Sequence, residues 1–152
     1  MNKKISIGLC INRLNSGKEK IKVCKLLYDE GYYKDANNRA YYSIFNSIRA
    51  ILSTEPKDFK RHKDVIAYFN QNYIKTKIFP RELGHKISLA NAVREDSDYL
   101  DSYMINKKET NEQIKTAKEV SKYAEKYIKD WIKNKANLSK EDAEKLISTI
   151  IK

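Results

Sequence analysis

The chain has 152 residues, enough for one domain with a real hydrophobic core and too few to expect two. Four glycines and two prolines are too few for the many tight turns of an all-β chain, so composition favours helices. A formal charge of +11 attracts polyanions such as nucleic acid, but 25 of the 31 basic residues are lysines, hydrated point charges that serve solubility equally well.

From Met1 to Ile11 the chain imitates a basic leader before apolar residues, but the apolar run stops at Asn12-Arg13, too short for export. No later segment approaches 18 uncharged apolar residues, so no membrane partner is expected and the cytoplasm is the default location. The first helix runs into Ile21–Tyr28 and stops at Gly31, a residue suited to the left-handed C-terminal position. Cys10 and Cys24 have no metal-ligand spacing, and on one helix they would stand roughly 21 Å apart, beyond disulfide reach. They are read as reduced structural thiols.

The second helix carries Ala36, Ala40, Ile44 and Ile48 at steps of four, with Tyr41, Phe45 and Leu52 widening its apolar face. Pro56-Lys57-Asp58-Phe59 breaks the pattern, and Val65, Ile66, Phe69 and Tyr73 mark a shorter third helix. After Phe79, Pro80 can open a fourth helix, because its missing N–H is unpaired at a helix start anyway. That helix lines Leu83, Ile87, Ala90 and Arg94 along one side.

Asn106-Lys107-Lys108-Glu109 reads as a polar loop, and Thr110-Asn111-Glu112-Gln113 has the spacing of a capping box that starts a fifth helix. Its inward face is Ala117, Val120, Ala124, Tyr127 and Trp131. Ser139 opens a short last helix over about 139–151. The expected architecture is all-α, a single domain over 1–152: an up-and-down bundle of five or six helices, with the second and fourth central and the last helix free to pack on the bundle or join an interface.

Two segments concentrate the chemistry. Arg94 continues the apolar stripe of the fourth helix, so its guanidinium is either buried at a seam or reaching for an anion. Arg39-Ala40-Tyr41-Tyr42-Ser43-Ile44-Phe45 places another arginine and three aromatics within two turns, a cluster that could face the first across the bundle. The plain alternative for Arg94 is an i,i+4 ion pair with Asp98. Tyr99 could stack on a base, be modified by a partner enzyme, or pack as an ordinary core tyrosine. His62 and His85 suit helix ends and surface.

Asn38–Phe45, Phe59–Ile66, Phe79–Gly84, and Arg94 with Asp98-Tyr99 together resemble the HEPN family of small helical proteins over about residues 17–130. The resemblance implies a bundle that dimerises, is often encoded beside a minimal nucleotidyltransferase in toxin–antitoxin or defence systems, and in many members cuts RNA without a metal. It implies no cofactor. The motif behind that cleavage is an arginine followed after four to six residues by a histidine. Counted from Arg94, those positions hold Tyr99, Leu100 and Asp101, so the histidine is missing.

Cleavage through the 2′-hydroxyl needs a base near neutrality, a task for which histidine is suited and tyrosine, titrating near pH 10, is not. The favoured expectation is a homodimer binding RNA, a nucleotidyltransferase antitoxin, or both, through a basic cleft formed by Arg94, Asp98, Tyr99, Arg39 and Tyr42. The first alternative is a divergent metal-independent endoribonuclease using Arg94 with His62 or Tyr99; the second is a non-catalytic helical adaptor.

Overall fold

The computed structural model describes residues 3–57, 59, 61–100 and 104–152; of the residues named above, Met1, Asp58 and Asp101 lie outside them. Six α-helices follow one another among these residues: α1 (Lys3–Asp29), α2 (Tyr33–Leu52), α3 (His62–Phe69), α4 (Arg81–Tyr99), α5 (Lys107–Asn134) and α6 (Lys140–Ile147). A five-residue π-helical turn, Asn70–Ile74, prolongs α3.

The corner between α1 and α2 forms at Gly31, whose φ of +85° places it in the left-handed region. Its N–H donates to the Tyr28 carbonyl at 3.0 Å and the next N–H, of Tyr32, to Leu27 at 2.8 Å. This pair closes the end of α1 as a Schellman motif, which a residue without a Cβ adopts at least cost. Pro80 sits one position before α4, at its N-cap, where a proline leaves no helical N–H unpaired.

The chain folds as an up-and-down bundle, but its centre differs from the expectation. α2 lies between α1 and α5, which also touch each other, while α4 leans on α2 and α5 from the side. The cause is the content of each buried stripe. α5 buries Ile114, Val120, Ile128 and Ile132, with Ala117 and Ala124 letting it approach closely. The inward side of α4 offers only Leu83 and Ile87 as large apolar groups, its other buried positions being Gly84, Ala90, Arg94 and Ser97. On the opposite side of α2, Gly17 of α1 allows contact close enough that a Cβ there would stand 3.0 Å from the Ser43 carbonyl. The Ser43 hydroxyl donates to the Gly17 carbonyl across that seam at 2.7 Å.

The start of α5 lies one turn earlier than the spacing suggested. The capping box is Asn106 with Glu109: the Glu109 N–H donates to Asn106 Oδ1 at 2.8 Å, and the Asn106 N–H to Glu109 Oε1 at 3.5 Å. Thr110 is fully buried and its hydroxyl donates to the Asn106 carbonyl at 3.0 Å, so it belongs to the helix interior rather than to the cap. Asn106→Ala removes the cap acceptor and is expected to destabilise the fold by about 1 kcal/mol in urea unfolding, whereas Thr110→Ser should cost less. No measurable change in Asn106→Ala would contradict this cap assignment.

α6 ends at Ile147, short of 151, and the last residues continue as turns. They are tied to the bundle by Asn15 of α1, which donates to the Thr149 carbonyl and accepts from the Ile151 N–H, both at 3.0 Å. Cys10 and Cys24 are free and buried, and burial pushes their thiols up to about 12 and about 11, which keeps them protonated and unreactive.

The part of the fold that positions the site is an aromatic cluster under α3. Phe69 is fully buried and stacks on Tyr73 and Phe79, with ring centroids 5.5 and 5.7 Å away, and Tyr127 of α5 meets Tyr73 edge-on at 5.7 Å. Glu55, after α2, accepts hydrogen bonds from the hydroxyls of Tyr68 at 2.7 Å and Tyr73 at 2.6 Å. These contacts fix α3 against the rest, and with it His62, the first residue of α3.

Candidate functional site

Arg94 is the centre of the site. Only 8% exposed, it lies with its guanidinium carbon 4.5 Å from the centroid of the Tyr41 ring and 5.9 Å from that of Tyr99. A cation held over an aromatic face in a desolvated setting gains about 2 kcal/mol, which explains why a charge is tolerated on the apolar stripe of α4. Burial keeps the Tyr41 hydroxyl protonated by raising its pKa, with Arg94 opposing the shift.

The hydrogen-bonding capacity of Arg94 is partly used, with the Tyr41 and Tyr99 hydroxyls among its partners. Nη2 donates to Asn91 Oδ1 at 3.2 Å, Nη1 stands 3.9 Å from Asp98 Oδ2, and buried Nε meets no acceptor among the described residues. A guanidinium carries five N–H donors in a rigid fork suited to phosphate and carboxylate oxygens; buried Nε is out of reach here, so an anion would be met by the Nη nitrogens. Asp98 is steadied from α2 by Asn38, which donates to Oδ2 at 3.2 Å.

The cleft beside Arg94 is about 420 Å³ and runs between α2, α3 and α4, lined by Tyr41, His62, Lys63, Asn70, Asn91 and Arg94 among others. His62 enters through the fold alone, since 32 residues separate it from Arg94 in the chain. Its ring lies 4.1 Å from that of Phe45 and meets Tyr42 edge-on at 6.0 Å. Partial burial, followed by the nearby charges of Arg94 and Arg49, lowers the His62 pKa below its ordinary value. The imidazole is therefore neutral at pH 7 and can accept a proton.

Of the residues expected to form the site, Arg94, Asp98, Tyr99, His62 and Tyr42 are brought together. Tyr99 is 73% exposed, so its ring forms a rim open to solvent and is not a core residue. Arg39 is elsewhere: exposed, with its charge felt by Lys20 of α1, it does not face Arg94. A helix turns about 100° per residue, and the two steps from Arg39 to Tyr41 carry the arginine to another side of α2. Tyr41 and Asn91 were not singled out as site residues. Asn91 could have been found from its i,i+3 spacing to Arg94, and Tyr41 from its place on the apolar face of α2, which Tyr42 does not share.

Residues 12–127 match the model of the HEPN domain. The chain belongs to the HEPN family. The matched span runs from within α1 to within α5 and includes every residue of the cleft. Among relatives, a protein of Methanocaldococcus jannaschii named "Putative toxin" is 30% identical over 96 residues, 63% of this chain and 65% of that protein. A second so named from the same organism is 32% identical over 81 residues, 53% of this chain and 60% of its own length. The chain thus spans less than two thirds of these two relatives. A Thermotoga maritima protein named "UPF0332 protein" is 29% identical over 126 residues, 83% of this HEPN chain and 81% of that one.

No helix among the described residues is long and apolar enough to cross a membrane.

Proposed function

We propose that this HEPN protein is a toxin-like, cytoplasmic RNA-binding protein that grips a phosphodiester in the cleft between α2, α3 and α4. The observation that carries the reading is the guanidinium of Arg94, held between Tyr41 and Tyr99 in a cleft that also contains His62, Lys63 and one carboxylate, Glu95. Arg94 supplies the fork for phosphate oxygens, and the exposed ring of Tyr99 offers a face on which a base can stack. Two relatives named "Putative toxin" support the toxin-like reading, and the partner assigned in this reading is an antitoxin of the nucleotidyltransferase class.

The protein acts as a homodimer in this reading. Tyr99 and Leu100 at the end of α4, with Met104 beyond it, are exposed and supply apolar surface that a second copy would cover. Photo-cross-linking of thiouridine-containing RNA, followed by mass spectrometry, tests the site. Adducts are expected on Tyr41, Tyr99 and the start of α3; adducts confined to other helices would overturn the assignment.

One observation favours catalysis as a second reading. His62 shares the cleft with Arg94 and stays neutral at pH 7, so it can take the 2′-hydroxyl proton while Arg94 steadies the charge on the phosphorane. Because the His62 pKa is lowered, the basic form persists to a more acid pH than for an ordinary histidine, and cleavage in the presence of EDTA should fall only as pH drops through that lowered value. His62→Ala is expected to abolish cleavage while RNA binding persists. If RNA stays intact with wild-type protein in excess from about pH 6 to 9, the cleft binds without cutting.

A further inference from the structure

The positive charge of the chain is not concentrated at the cleft. On α5, Lys115, Lys118, Lys122, Lys126, Lys129 and Lys133 recur at steps of three and four. At about 100° per residue all six fall within an arc of roughly 80°, on the side of the helix turned away from its buried stripe, and they span about 27 Å. No carboxylate falls inside the arc. Glu112, Glu119 and Asp130 lie to one side of it and Glu125 to the other.

The flanking acids are engaged in ways that leave the middle of the row bare. Glu125 binds Lys18 of α1 and Lys129, Glu119 binds Lys86 of α4, and Glu112 contacts Lys115. Lys118, Lys122 and Lys126 are exposed and have no ion pair among the described residues. α1 packs against this part of α5 and adds Lys25, so close to Lys118 that, after burial, the second ammonium and that of Lys122 lower the Lys118 pKa. Like charges crowded without a counter-charge raise the energy of the free protein, and a polyanion relieves that repulsion.

We infer that the row of lysines on α5, with Lys25 of α1, is a second binding surface, separate from the Arg94 cleft, that holds the phosphodiester backbone of single-stranded RNA without regard to sequence. The choice of RNA as the polyanion rests on the reading of the cleft. The geometry argues for a strand over a lipid surface. One lysine per helical turn repeats about every 5.4 Å in a straight line, suited to a linear series of phosphates. A membrane-binding helix would need apolar side chains to insert beside its charges, and the arc has none. The row shares no residue with the cleft, whose lining comes from α2, α3, α4 and the π-helical turn. A strand held along α5 and α1 therefore leaves the cleft open for another part of the same molecule, and the two contacts together raise the effective concentration of RNA at Arg94.

The test is fluorescence anisotropy with labelled oligouridine of about 20 nucleotides, titrated between about 50 and 200 mM salt. The quadruple variant Lys25→Gln, Lys118→Gln, Lys122→Gln and Lys126→Gln changes only exposed positions and should retain the wild-type helical circular dichroism. Four phosphate contacts at about 0.7 each on a single strand predict a slope of log K against log salt shallower by about 3. Arg94→Ala should alter the slope by less than about 1, as expected for one contact. A quadruple variant with the wild-type slope overturns the second surface and leaves the cleft standing. A shallower slope in the quadruple variant with unchanged binding in Arg94→Ala does the reverse. Vesicles of phosphatidylserine and phosphatidylcholine serve as the third probe; wild-type protein that binds them and not oligouridine overturns the RNA assignment.

Discussion

Arg94→Ala is expected to weaken the binding of single-stranded RNA by about 10- to 100-fold, the loss of about 1.5–3 kcal/mol that follows when a charged hydrogen-bonding group is removed. Two features of the site set that scale. Arg94 is mostly buried, so the field of its charge is less screened than that of a surface lysine, and Tyr41 fixes the guanidinium so that little side-chain freedom is lost on binding. Arg94→Lys separates charge from geometry. It keeps the cation but replaces the planar fork with a point charge, and should recover only part of the affinity. Urea unfolding of both variants guards against loss of fold. A correctly folded Arg94→Ala protein that binds RNA as tightly as wild type would remove the cleft from consideration.

The largest expected loss of stability is in Phe69→Ala. Phe69 is completely buried between Tyr73 and Phe79, and deleting a ring from such a place costs about 3–5 kcal/mol, part lost transfer energy and part the cavity left behind. Against a total stability of about 5–15 kcal/mol this is enough to populate unfolded chains. The effect should extend to function, because the same cluster anchors the helix that begins at His62. Phe69→Leu, which keeps most of the volume, should cost about 1.5 kcal/mol or less and preserve the cleft. Chemical denaturation of the two variants checks both numbers; a loss under about 1 kcal/mol in Phe69→Ala would mean that the aromatic cluster does not hold α3.

The features that could be read in advance are those a helix encodes locally. Gly31 ends α1 because its φ of +85° suits a residue without a Cβ, and that preference is visible in one letter. Arg94 stood out because a charge on an apolar stripe has to be compensated, whatever the neighbours are. The capping box was misplaced by one turn for a related reason. Both Asn106–Glu109 and the segment from Thr110 satisfy the local pattern, and the choice between them depends on which side chain the bundle buries.

The sequence by itself determined that the chain is all helical, where its main corners fall, and that one arginine would lie on an inward face. These follow from short-range propensities and a period of 3.6, which act within a few residues. Only the tertiary structure decided that α5 and not α4 shares the core with α1 and α2, that Tyr41 rather than Arg39 meets Arg94, and that His62 arrives in the same cleft. Those outcomes depend on which buried surfaces fill space best against each other, a comparison among helices distant in the chain, which no local pattern contains.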